Sequence, residues 1–314
     1  MIVPERRSWW HLVFRYRGTE LERTRFRLAA VAVVAVFVTI LEERHDWHPN
    51  LTPLPFTLVG IALGIFLGFR NNASYDRWWE GRKLWGALVN TSRTFTRQVL
   101  TLVGEQPGGE RPDERELAEL RRKLVYRTIA FAHALRHSLR DERDEAELEK
   151  LLSPAEIVQL RAEANRPFAL SQGSAELLRE AWRRGWIHPQ HLAVLEGSLK
   201  ELTDVQGGCE RIKSTPLPFS YTTLIHRITA GYCYALPFGV VDSVGIYTPF
   251  VVTIVAYAFF GLDAVGDEIE MPFGRDPNDL ALRSICRNIE LQLRQRLGEK
   301  DLPPPLEPQD EILD

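Results

Sequence analysis

Four stretches of this chain carry no Asp, Glu, Lys or Arg: Leu28–Leu41, Leu51–Phe69, Ile228–Val241 and Ser243–Leu262. The mean hydropathy of −0.19 and net charge of −3 over 314 residues resemble those of a soluble protein, because the rest of the chain is dense in Arg and Glu. The distribution is what constrains the fold. About 20 apolar residues in a helix cross the roughly 30 Å hydrocarbon layer of a bilayer, and the second and fourth windows have 19 and 20. The first and third have 14 each and are bordered by Arg27 and Arg227. Arginine stems snorkel to the interface and lengthen such spans. The pattern predicts four membrane helices; the competing reading is four buried helices of a large soluble protein.

Loop charges set the orientation. Met1–Arg27 holds seven arginines against three glutamates, whereas Glu42–Asn50 has no basic excess. The positive-inside rule puts the N-terminus in the cytoplasm, and four spans return the C-terminus there. Trp9, Trp10 and Phe14 beside Arg15 and Arg17 suit an interfacial amphipathic segment or a plain core helix. The first apolar run follows many arginines with no small-residue cleavage site, so it reads as uncleaved.

Between the two pairs of windows, apolar spacing is close to helical throughout, and strand alternation is absent. Glu114–Arg140 is one predicted helix, Pro154 opens another with Ser153 as its cap, and Thr101–Asp113 with Pro107-Gly108-Gly109 is a loop. Asp279–Leu297 is predicted helical, and the Pro-rich acidic tail from Leu302 extended. The fold class is all-α, in four parts: 1–69, an interfacial segment and membrane helices 1 and 2; 70–223, a cytoplasmic helical domain; 224–263, membrane helices 3 and 4; 264–314, a cytoplasmic helix and tail.

The second window repeats glycine at 60, 64 and 68, with Ile61, Ile65 and Phe69 directly after. Small residues four apart form a stripe that lets helix backbones approach closely in lipid. The apolar residues form a second stripe about 100° away. That stripe faces lipid or, in a ring of identical helices, a central axis, where it makes a hydrophobic constriction.

Other chemistry is weaker. His133 and His137 have the i, i+4 spacing of zinc ligands but no evident third ligand. Asp267, Glu268, Glu270, Asp276 and Asp279 could hold calcium, but do not form an EF-hand and read better as a solvated or arginine-paired acidic face. No nucleophile elbow, phosphate loop or Cys-His pair is present. Cys209, Cys233 and Cys286 suggest neither disulfides nor a zinc ribbon. The charge balance excludes nucleic acid as a partner. No catalytic residue, cofactor or metal is expected.

Three segments together resemble the bestrophin family in its bacterial branch: Arg70-x-x-Ala73-x-x-x-Arg77-Trp78-Trp79, Gly208-Cys209-Glu210-Arg211-Ile212 and Pro272-Phe273-Gly274-x-Asp276. The resemblance implies a homopentameric channel in the bacterial inner membrane, with the lipid bilayer, four further copies and permeating monovalent ions as its partners. It implies a pore neck of Ile61, Ile65 and Phe69, with Gly60, Gly64 and Gly68 packing against neighbouring helices. Arg77, Trp78 and Trp79 would brace the neck from behind, and Arg70-Asn71-Asn72 would mark its opening into a wet vestibule. A second, cytoplasmic constriction falls at Gln190–Leu192, where Gln190 departs from the aliphatic residue of bacterial relatives. Animal relatives hold calcium just after Pro-Phe-Gly; here Arg275, Pro277 and Asn278 interrupt the acidic run, which implies no calcium activation. The family name implies chloride, whereas the acidic residues leave cation selectivity open. The alternative is a membrane-anchored scaffold whose cytoplasmic helices bind a soluble partner.

Overall fold

The computed structural model describes residues 1–2, 9–16, 18–45, 51–106, 111–309 and 311–314. Arg6, Arg7, Arg17, the outer part of the Glu42–Asn50 loop and Pro107-Gly108-Gly109 lie outside the described residues. Eleven α-helices follow in order among the described residues: α1 Trp9–Val13, α2 Glu20–His45, α3 Pro53–Leu102, α4 Glu114–Leu139, α5 Ala146–Glu149, α6 Pro154–Ala162, α7 Arg166–Arg183, α8 Pro189–Ser214, α9 Phe219–Val244, α10 Thr248–Glu270 and α11 Leu282–Arg296. No strand occurs among the described residues, only isolated bridges such as Ile2 with Ile312. The fold is all-α.

Local chemistry sets the helix starts. Ser153 and Glu156 form a reciprocal capping box in front of Pro154, satisfying donors that a helix N-terminus leaves free. Asp113, Asn165 and His188 cap α4, α7 and α8 through side-chain acceptors. The last helix begins at Leu282 rather than Asp279, because Asp279 closes the preceding turn with Asp276.

Three helical stretches are long and apolar enough to cross a membrane: Glu20–His45, Pro53–Leu102 and Phe219–Glu270. The last comprises α9 and α10, which fold back on each other through one 3-10 turn, Gly245–Tyr247. Gly245 enters that turn at φ +56°, a conformation that side chains with a Cβ disfavour. α2, α9 and α10 share a core of Leu28, Val31, Ala35, Cys233, Leu236, Val252, Ala256 and Phe260. The upper part of α3 joins them through Leu63 and Leu67 against Ile225.

α3 does not stop where its charge-free window stops. It runs unbroken past Phe69 for 50 residues, about 75 Å at 1.5 Å per residue, more than twice a hydrocarbon layer. Its polar half packs against α8, α4 and α11 around a second, larger core that includes Trp85, Leu88, Phe95 and Val99. One rod thus links the apolar bundle to the polar one.

Candidate functional site: an apolar stripe on α3 and the charged knot beneath it

Leu63 and Leu67 are buried toward the protomer interior. Two residues further along a helix is a rotation of about 200°, so Ile65 and Phe69 point the opposite way. They are 54% and 61% exposed, and Ile61 is 58% exposed. The sequence stripe is therefore a row of large apolar side chains that this protomer leaves uncovered. The glycines behave differently from one another. A Cβ at Gly60 would lie 2.7 Å from the Tyr232 hydroxyl on α9, so Gly60 packs within the protomer. Nothing lies within 4 Å of a Cβ at Gly64 or Gly68, which leave a smooth open face.

Directly below the stripe, sequence reasoning missed a cluster. Arg70 does not open into water. It is fully buried and ion-paired to both Asp263, at 2.7 Å, and Asp267 on α10. Those carboxylates are four residues apart and share one face of α10. His226 of α9 lies 2.8 Å from Asp263, and Arg27 of α2 lies 3.7 Å from it. Asn71 adds a bond of 3.0 Å to the Leu262 carbonyl. A buried charge is tolerated only when paired and hydrogen-bonded, which is why Arg70 turns inward. His226, Asp263 and Asp267 place ligand atoms within 4.8 Å of one another, but Arg70 and Arg27 already fill both carboxylates. The cluster is a closed ion-pair knot rather than a vacant cation site.

Two turns further down, Arg77 spans three segments. Its guanidinium donates to the carbonyls of Glu270 at 3.0 Å, Ile212 at 2.6 Å and Thr215. Trp78 Nε1 donates to the Asn278 carbonyl at 3.1 Å, while Trp79 is largely exposed. These bonds fasten α3 to the end of α8 and to the loop after α10. In that loop the acidic residues are already spoken for. Arg23 pairs with Asp276 at 2.9 Å, and Asn278 donates to Glu268 at 2.8 Å. Asp279 is buried and accepts from the Asp276 amide at 2.7 Å. Burial pushes its carboxyl up to about 6, although the Asp276 amide pulls the other way.

A model of the bacterial and fungal bestrophin proteins matches residues 1–295. The chain belongs to the bestrophin family. The voltage-dependent anion channel-forming protein of Ralstonia nicotianae is 41% identical over 305 residues, covering 96% of each chain. The protein of the same name in Escherichia coli is 34% identical over 307 residues, again covering 96% of both. The crystal structure of a bacterial bestrophin homolog from Klebsiella pneumoniae superposes with a TM-score of 0.80 at 32% identity, over 87% of this chain and 98% of that one.

The remaining sequence expectations fall on identifiable geometry. Gln190 is exposed in the first turn of α8, where its amide caps on His188. Leu192, two residues on, is half-buried against the larger core. His133 and His137 do find acidic neighbours: Glu147 at 3.3 and 3.1 Å, and Glu290 at 3.8 Å from His133. Arg136 also binds Glu147, so the group is a buried ion-pair network between α4, α5 and α11. Hydrogen bonds from His133 and His137, and then Arg136, hold Glu147 well below the usual carboxylate range.

Replacing Arg70 by Met leaves Asp263 with His226 and Arg27 alone. It should cost about 3 kcal/mol, the low end for breaking a buried ion pair, read as a lower unfolding temperature in detergent. Asp279 gives a pH-dependent counterpart. Between its unfolded value of 3.8 and its folded value of about 6, the folded state keeps a proton that the unfolded chain has shed. Its contribution therefore falls as pH rises through that window and stays low above it. Asp279→Asn should be more stable than the parent by on the order of 2 kcal/mol at neutral pH. The advantage should vanish toward about pH 4; melting curves at both pH values check it.

Proposed function

We propose that this chain is the subunit of a homopentameric channel for small monovalent ions, with the exposed stripe Ile61, Ile65 and Phe69 of α3 lining its axis. The observation that carries this reading is the pairing of that uncovered stripe with the empty face at Gly64 and Gly68. In a ring, each glycine face receives a neighbouring helix, and the stripes converge. Apolar rings give a dehydrating ion no compensating ligands, so this neck is the main barrier. The names of its relatives, voltage-dependent anion channel-forming proteins, support anions as the permeant ions, and the acidic residues of the cytoplasmic side are the feature that would favour cations instead. Function is conduction rather than catalysis.

In this reading the protein is a multi-pass protein of the bacterial inner membrane with both termini cytoplasmic. Residues 1–69 and 224–263 carry the interfacial segment and four spans; 70–223 and 264–314 form the cytoplasmic vestibule, helix and tail. Arg77 and Trp78 brace the neck by tying α3 to α8 and the 271–281 loop, with Trp79 at the outer edge of that brace. Gln190 supplies a polar lower constriction, and Leu192 supports it from the core side. Calcium does not activate the channel in this reading, because Arg275, Pro277 and Asn278 interrupt the acidic run and Arg23 already pairs with Asp276.

The test is current through the purified protein in planar bilayers. Replacing Ile61, Ile65 and Phe69 together by Ala should raise flux at least about threefold by removing the dewetting barrier; unchanged conductance and gating would remove the neck assignment. Reversal potentials in asymmetric chloride salts should follow the anion gradient. A reversal following the cation gradient would overturn the ion sign alone. Steep activation by micromolar calcium would overturn the calcium reading, and a non-conducting monomer in detergent the whole proposal.

A further inference from the structure

Conduction does not by itself need a titratable group in the knot, yet His226 occupies one in a particular way. Its Nδ1 lies 2.8 Å from Asp263 Oδ2, and its Nε2 lies 3.5 Å from Asp267 Oδ1. A neutral imidazole has one N–H and one lone pair. It can donate to only one of these carboxylates, and then turns its lone pair toward the other. An imidazolium donates to both. Both contacts are served together only by a ring that carries two protons, and histidine is the side chain whose charge ordinarily changes between about pH 5 and 8.

Every helix of the apolar bundle presents a charged group here. α2 brings Arg27, 3.7 Å from the same Asp263 oxygen; α3 brings Arg70; α10 brings Asp263 and Asp267; α9 brings His226, with its own Tyr234 nearby. The two arginines balance the two aspartates in formal charge, and His226 is the remaining member of the cluster. It is also reachable. His226 is 35% exposed at the edge of a cavity of about 440 Å³ lined by Arg27, Ala230, Tyr234, Phe260 and Asp263.

We propose that His226 is a proton-operated clamp: protonated, it bridges Asp263 and Asp267 and ties α9 to the knot; neutral, it releases Asp267. The regulatory ligand of this site is a proton taken directly from water. The consequence for flow rests on the channel reading above. Asp267 is shared with Arg70, the residue next to Phe69 in α3. Closing the clamp fixes the root of the neck helix against α10, and opening it leaves Arg70 as the ionic tie on Asp267 among the described residues and relaxes the neck.

Flux in bilayers should therefore rise about fivefold or more, a usual size of coupling between sites, from about pH 5.5 to about 8. His226→Gln, which keeps the same hydrogen-bonding capacity at every pH, should give a flat profile. Asp267→Asn, which removes one end of the bridge, should reduce the rise with pH. Amide hydrogen exchange of α9 and α10 in the intact detergent-solubilised protein, corrected for intrinsic pH dependence, reads the clamp without conduction. Protection should be greater at the acidic end in the parent and independent of pH in His226→Gln. Flat exchange in the parent, or a pH dependence retained in His226→Gln, overturns the clamp. If no current flows at any pH while exchange behaves as expected, the channel reading fails and the clamp stands.

Discussion

The structure turns on a buried guanidinium. Arg70 sits in the middle of a 50-residue helix, wholly removed from solvent. An unpaired cation there would cost several kcal/mol, a large fraction of an ordinary stability margin. Its only workable position is between Asp263 and Asp267, one α10 turn apart. That pairing fixes the register of α3 against α10 and its rotation about its own axis. With Arg70, Leu63 and Leu67 inward, Ile65 and Phe69 have to point outward. The direction of the apolar stripe is thus a consequence of where one charge can be buried.

The same requirement explains why four helices meet at one level. Arg27 immediately precedes the first charge-free window, and Arg70 follows the second. His226 stands just before the third, and Asp263 follows the fourth. In helices that alternate in direction, those four ends lie on the same side of an apolar layer. Charges excluded from the apolar layer collect at its edge, where opposite signs find one another. The α9–α10 turn at Gly245 and the cap of α3 at Thr52–Pro53 end helices at the other side.

Much of this was legible in the sequence. The helical class, the extent of α4 and the cap at Ser153 follow from local propensity and spacing, which act within a few residues. The stripe at 61, 65 and 69 follows from helical period. The knot did not emerge, because its members are up to 240 positions apart and periodicity carries no information on which ends face each other. The alignment of window ends held the signal, but treating Arg70 with Asn71 and Asn72 as a polar exit hid it. His133 and His137 show the same limit: their spacing was visible, whereas Glu147 and Glu290 reach them only through α5 and α11. The unbroken course of α3 beyond Phe69 was also obscured, since a fall in hydropathy marks a change of surroundings and not the end of a helix.

The acidic run that ends α10 read as a solvated or arginine-paired face; its members are largely paired, and they serve several different elements. Asp267 holds Arg70 of α3. Glu268 faces Arg23 of α2, at 3.8 Å, and Asn278 of the following loop. Glu270 accepts the Leu217 amide at 3.0 Å ahead of α9, while its carbonyl receives Arg77. Helical spacing about 100° per residue sends these side chains in different directions, so one short segment can address several neighbours. The end of α10 is therefore a junction between the apolar bundle and the polar one. A displacement of the α10 end would act on α3 at two heights, through Arg70 beside the stripe and through Arg77 two turns below. Because α3 is continuous between those points, it would move as a rod, carrying the stripe with it.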